Sequence, residues 1–248
     1  MKIKLKKNEE MKLQIPEFNC DYNPLGDHLN KYDMLKNLNS FSFNGIIGKP
    51  GSGKTSLLLS FLTGKGEQKI FRKVFTHILL VMPTSSRNSL KKNIFEKHPD
   101  EKMYEELTPD SIDEIYNKLD MYSKEGDTTL LILDDVGASL KDYHIQKTLR
   151  KIIFNRRHLK CQIFTLLQSF MSIPKEVRKL YSNLFMFKPS KVEFQNLFDE
   201  LFETKKDDAM DIMRYAFDKP HQFLMMNIEN QRLFKGFDEL LLKEIEEN

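Results

Sequence analysis

The sequence predicts an α/β protein of three layers, a mostly parallel sheet covered by helices on both faces. Three observations predict it. Apolar runs of strand length alternate with segments of helical period along most of the chain. The strand-like runs are apolar throughout, not at every second residue, as strands buried on both faces must be. A glycine-rich turn at 48–53 joins the first such run to the first helical one, where a phosphate-cradling loop belongs.

Residues 1–38 alternate charges with turn residues, and Pro16, Pro24 and Gly26 interrupt any long element. This segment reads as an N-terminal arm, and 39–248 as one domain. A β-prone run at 41–47 enters the glycine-rich turn, and a helix at 55–61 follows, stopping near Gly64 and Gly66. Residues 74–82, VFTHILLVM, read as a strand, and helical segments cover 87–96 and 109–123. The second has Thr108 as N-cap, Pro109 at N1 and Asp110 in the first turn. After the Gly126-Asp127 turn come a strand at 129–133, a helix at 143–158, a strand at 162–167 and a helix starting at Pro174. A strand at 184–187, two helical pieces within 191–216, a strand at 222–228 and an acidic helix at 237–247 complete the order.

Composition sets outer bounds. With 248 residues, 40% hydrophobic and 11% aromatic, the chain can build a sizeable core and is not wholly disordered. No run approaches about 18 apolar residues, so no membrane span is expected. The lysine-rich start, MKIKLKKNEEMKL, has no apolar stretch of signal-peptide type. Cys20 and Cys161 cannot make a disulfide framework, which points to a reducing intracellular setting. A net charge of +3 permits contact with nucleic acid without arguing for it.

Gly48-Lys49-Pro50-Gly51-Ser52-Gly53-Lys54-Thr55 fits the phosphate-loop pattern G-x-x-x-x-G-K-[ST] in full, with a strand before it and a helix after. Its glycines let backbone N–H groups point inward, and the helix start at Thr55-Ser56 adds positive partial charge. Lys54 is expected to reach the β- and γ-phosphates of ATP, and Thr55 to put its hydroxyl on Mg2+. Gly-Lys-Thr in place of a third spaced glycine excludes the dinucleotide-binding fingerprint.

Leu130-Leu131-Ile132-Leu133-Asp134-Asp135 ends an apolar strand in two carboxylates. Ligands of parallel sheets sit beyond the carboxyl ends of strands. Asp134 is therefore the expected second ligand of Mg2+, and Asp135 the group that orients or deprotonates a water. A second acid here favours hydrolysis over phosphoryl transfer to a small substrate. The strand at 162–167 ends in Gln168. If it lies beside the acidic strand, Gln168 faces the γ-phosphate; otherwise it is a solvated strand end.

Asn155-Arg156-Arg157-His158 ends the helix that follows. Arg156 falls on the apolar face with Leu149 and Ile152, and Arg157 on the flank with Arg150. Two readings stay open: cations suited to a helix C-terminus, or an arginine finger for a neighbouring subunit's γ-phosphate. Arg178, beside Lys175 and Lys179, is a weaker candidate, on a solvated face or against DNA phosphates.

The order of these motifs carries a resemblance. Phosphate loop, LILDD, NRRH, a strand ending in Gln, and IPKEVRKLYSNLFMFKP together resemble the poxvirus-type genome-packaging ATPases of large DNA viruses, within the FtsK–HerA superfamily of ring motors. The resemblance covers roughly residues 41–198. It implies a RecA-like P-loop NTPase with an additional strand between the phosphate-loop and acidic-pair strands, a place 74–82 would fill. It implies ATP hydrolysis that drives double-stranded DNA into a capsid, in the host cytoplasm and the virion. It implies a hexameric or pentameric ring, a capsid or portal partner, Gln168 as sensor, and Arg156 or Arg157 as the finger, with Arg156 preferred. Many superfamily members have Asp-Glu where this chain has Asp134-Asp135, so the shorter Asp135 must approach closer or work through water. The competing reading is a P-loop kinase for nucleosides or nucleotides.

Overall fold

The computed structural model of the chain describes residues 41–241, apart from 66–68, 89–93 and 203–205, together with Leu25, Leu29, Asp33–Lys36 and Leu38. The elements run α1 (Asp33–Lys36), β1 (Phe43–Ile47), α2 (Lys54–Thr63), β2 (His77–Val81), α3 (Thr84–Asn88), β3 (Met103–Tyr104) and α4 (Pro109–Glu125). Then come β4 (Thr129–Asp134), α5 (Tyr143–Asn155), β5 (Cys161–Leu167), α6 (Lys175–Arg178), β6 (Asn183–Phe187), α7 (Lys191–Leu201) and α8 (Lys206–Ala216). The chain closes with β7 (Phe223–Asn227), β8 (Arg232–Lys235) and β9 (Asp238–Glu239).

The strands form one sheet in the order β3-β2-β4-β5-β1-β6-β7-β8-β9. The first six run parallel, and the last three are antiparallel to their neighbours. Side chains alternate between faces along each strand, so uniformly apolar strands feed two cores. Leu131, Leu133, Ile163 and Leu184 pack with α4, α5, α7 and α8 on one face. Leu130, Ile132, Phe164 and Phe185 pack with α2 on the other, together with Leu25, Leu29, Leu35 and Leu38. A helix on each side of a mostly parallel sheet is the three-layer α/β arrangement the sequence predicts.

Three expectations need correction. The strand between the phosphate-loop strand β1 and the acidic strand β4 is β5, and β2 from the 74–82 run lies on the far side of β4. Uniform apolarity marks both strands as buried but does not rank them across a sheet. The 87–96 helix is α3 at Thr84–Asn88, followed at 94–97 by turn. The acidic helix expected at 237–247 begins instead as β9, whose Asp238 and Glu239 pair with β8; residues 242–248 lie outside the described ones, as do Cys20 and most of the arm.

Candidate active site

The phosphate loop leaves β1 and is tied to the next strand at once, because the Gly48 N–H donates to Leu167 O of β5 at 3.0 Å. Gly51 has φ 74° and Gly53 φ 112°, a region that costs glycine little. At Gly48 the constraint is space: a Cβ there would lie 2.6 Å from Ser52 Oγ and 2.8 Å from Phe187 Cβ. Helices α4, α5 and α7 have their first turns capped by Thr108, Asp142 and Ser190. Helix α2 has Gly53 as N-cap, no side-chain cap and no acid in its first turn. Its N-terminal N–H groups are thus left for an anionic ligand. Lys49, Pro50, Gly51 and Ser56 are exposed, and Ser52, Gly53, Lys54 and Thr55 partly so.

Lys54 Nζ donates to Gly48 O at 2.6 Å and to Lys49 O at 3.2 Å. Burial holds its ammonium below the usual lysine range, and the charges of Asp134 and Asp135 act against that. Asp134 ends β4 at 7% exposure. Its carboxyl is pushed up from 3.8 to about 6, first by burial and then by the charge of Asp135. Lys54 and the Asp135 N–H pull the other way. A buried carboxylate crowded by a second one is short of positive charge. The Thr55 hydroxyl and the Asp134 carboxylate are both oxygen donors, the kind a hard cation such as Mg2+ takes.

Asp135 turns the chain out of the sheet with φ 54°, a conformation that costs most L-residues about 1–2 kcal/mol and that Asp enters more readily. Its N–H donates to Leu166 O at 3.0 Å. Its Oδ1 accepts from Gln168 Nε2 at 3.2 Å. β5 lies beside β4, and the exposed Gln168 reaches Asp135.

Arg156 and Arg157 are not brought to this site. They precede Cys161, at the end of β5 opposite Leu167, and seven residues of strand span about 20 Å. Arg156 is half-buried and its Nη1 donates to Ile153 O at 2.9 Å, closing its own helix. Burial and Arg157 lower its pKa, and Glu229 opposes them. Arg157 is exposed. Arg178 is neither on a solvated face nor free for DNA: it is buried, 3.3 Å from Glu200 and over the Phe170 ring.

Two residues at this end of the sheet carry no motif in the sequence. Glu193 Oε1 accepts from Ser169 Oγ and from the Phe170 N–H, both at 2.6 Å, and so clamps the loop directly after Gln168. His221 Nδ1 bonds Ser52 O at 3.1 Å; the carbonyl can only accept, so Nδ1 carries the proton. Both come from segments far along the chain, and no spacing rule signals them.

Comparison with known proteins bears on the family and the fold. The poxvirus A32 protein family matches residues 30–236. An uncharacterized protein, 015R of Frog virus 3 (isolate Goorha), is 26% identical over 156 residues, covering 61% of this chain. The match spans 45% of that relative's own length. Among solved structures, B204, the DNA-packaging ATPase from Sulfolobus turreted icosahedral virus, superposes with a TM-score of 0.62 at 16% identity, over 81% of this chain and 98% of its own. The genome packaging NTPase B204 from Sulfolobus turreted icosahedral virus 2, in complex with ATP-gammaS, gives 0.57 at 17% identity over 82% and 100%. EssC (ATPases 2 and 3) from Geobacillus thermodenitrificans gives 0.53 at 11% over 84% and 41%. At such identities these likenesses are ones of fold, that of P-loop ATPases. The family match takes in every element from α1 to β8 and every site residue named above, and the chain belongs to the poxvirus A32 protein family.

Proposed function

We propose that the chain is an ATP-hydrolysing motor that moves double-stranded DNA into a viral capsid as a ring of identical subunits, in the infected cell. The observation that carries the reading is the Gln168–Asp135 hydrogen bond of 3.2 Å beside a full phosphate loop. A kinase must keep water from the γ-phosphate, whereas this amide–carboxylate pair is suited to hold one. The packaging function named for the B204 structures supports the same reading.

In this account the loop N–H groups and Lys54 hold the β- and γ-phosphates, and Thr55 and Asp134 hold Mg2+. The ion, when bound, offsets charge on the transferring phosphoryl group. Gln168 occupies one oxygen of Asp135, and the other accepts a hydrogen bond from the attacking water. A bond forms between the water oxygen and the γ-phosphorus, and the bond to the bridging oxygen breaks. ADP and phosphate leave, and the water's proton passes through Asp135. Because the arginines stand at the opposite end of the sheet, they would serve a neighbour's site. Of the two, Arg157 is the more exposed. A capsid or portal protein would complete the machine.

A mixing experiment tests the shared site. Asp135→Asn subunits and Arg157→Ala subunits should each turn over ATP slowly. Mixed, they should recover part of the activity, because some interfaces pair an intact Asp135 with an intact Arg157. Two folded, assembled variants whose mixture stays inactive would contradict the shared site.

A further inference from the structure

The strand order constrains how a nucleotide can lie in the loop. On one flank of β1 stand β5 and β4, with Gln168, Asp135 and Asp134 at their ends. If the γ-phosphate faces those residues, the α-phosphate and the nucleoside leave the loop over the other flank, toward β6, β7 and β8. There β7 and β8 are antiparallel, with Phe187 of β6 opposite Phe223 and Leu224 of β7 opposite Lys235. The turn before β7 and the turn after β8 are therefore both at the phosphate-loop end of the sheet.

Those two turns carry unexplained features. His221 sits on the Ser52 carbonyl with its backbone at φ 59°, a left-handed value uncommon outside glycine. Phe187 packs beneath the loop, within 3.3 Å of a Cβ placed on Gly53. The Phe223 ring is 5.9 Å from it, and Phe237 meets Phe223 edge-on at 5.6 Å. Phe237 is nevertheless 57% exposed. A line of rings thus runs from under the phosphates to an open aromatic face. Both turns are braced: Gln222 Oε1 accepts the Lys219 N–H at 3.0 Å, Lys235 Nζ binds Asp218 at 2.7 Å, and Gly236 N–H donates to Phe223 O at 2.9 Å.

We infer that His221 and Phe237 form the nucleobase end of the site and stack the base of a nucleoside triphosphate whose phosphates lie in the loop. The inference rests on the nucleotide reading above and deepens it. Stacking uses the π-face that every base has, so the subsite adds affinity with little choice between ATP and GTP.

Calorimetric titration of the full chain with ATP and with inorganic tripolyphosphate tests this. Phe237→Ala should weaken ATP roughly 5- to 100-fold, the range for losing one stacked base, and leave tripolyphosphate unchanged. Phe237→Tyr should keep ATP affinity. Equal weakening of both ligands by Phe237→Ala, or no change in either, overturns the subsite. So does wild-type protein that binds tripolyphosphate as tightly as ATP, with the phosphate reading left standing. Wild-type protein that binds neither ligand overturns the nucleotide reading and the subsite with it.

Discussion

At the amino ends of the parallel strands, Ser42, Asn44, Gln162, Asn183 and Asn227 are all buried, and hydrogen bonds run through them across β5, β1, β6 and β7. Gln162 exchanges bonds with Ser42 at 2.7 and 3.0 Å, and Ser42 Oγ donates to Asn44 Oδ1. Asn183 Nδ2 donates to Asn44 Oδ1, and Asn227 Nδ2 to Asn183 Oδ1, both at 2.9 Å. At the carboxyl ends the polar groups are kept in tension. Lys54 is depressed, Asp134 is raised to about 6, and Ser52 Oγ is buried without a hydrogen bond, as Thr129 Oγ1 is at the amino end of β4. A satisfied buried network fixes one register. A group left short of its partner or held under strain is one a ligand can complete. The two ends should therefore answer differently to mutation, one in stability and the other in activity.

The largest effect should come from the carboxyl end. Lys54→Ala should lower ATP turnover by about 10³-fold, as loss of a transition-state donor does, while the melting temperature stays within a few degrees of wild type. Paired turnover and thermal melts check both halves; a matching collapse of stability would break the comparison. At the amino end, Asn183→Ala removes two bonds and leaves Asn227 Nδ2 buried without its acceptor. It should cost about 2–4 kcal/mol, a melting shift of about 5–15 °C, with ATP affinity of the folded protein unchanged.

Asp134→Asn sharpens the contrast because its sign is opposite. The folded carboxyl titrates at about 6 against an ordinary 3.8, so folding favours its protonated form. Stability is lost as pH rises from about 4 to 6 and is level above that. Asparagine carries no charge and should raise ligand-free stability at pH 7–8 by about 2–3 kcal/mol, with no gain at pH 4, while Mg2+-dependent turnover is lost. Melts across pH with and without Mg·ATP read this directly. The smallest effect is expected at Glu193→Gln, which weakens two charge-assisted bonds to the loop after Gln168. Turnover should fall several-fold with KM for ATP little changed, since no phosphate contact is touched.

How much of this was legible in the sequence depends on how local each feature is. The phosphate loop and its flanking strand and helix are one continuous segment, so residues 48–55 announce themselves. Asp134 and Asp135 are legible for the same reason, as the end of one apolar run. The sheet order was not, because β2 and β5 are equally apolar and nothing in either run says which neighbours β1. Strand β8 is four residues, and β9 two acidic residues whose composition suits a helix until edge pairing overrides it. His221 contacts Ser52 across 169 positions, and Glu193 reaches Ser169 across 24; such meetings are made by the fold alone.

Steady-state ATP hydrolysis, measured with and without double-stranded DNA over a range of protein concentrations, tests the ring motor most directly. A ring motor with shared sites predicts turnover that DNA stimulates and that rises steeply with concentration as subunits assemble. Hydrolysis that is slow, independent of concentration and indifferent to DNA, together with phosphate transfer from ATP to an added nucleoside, would contradict it.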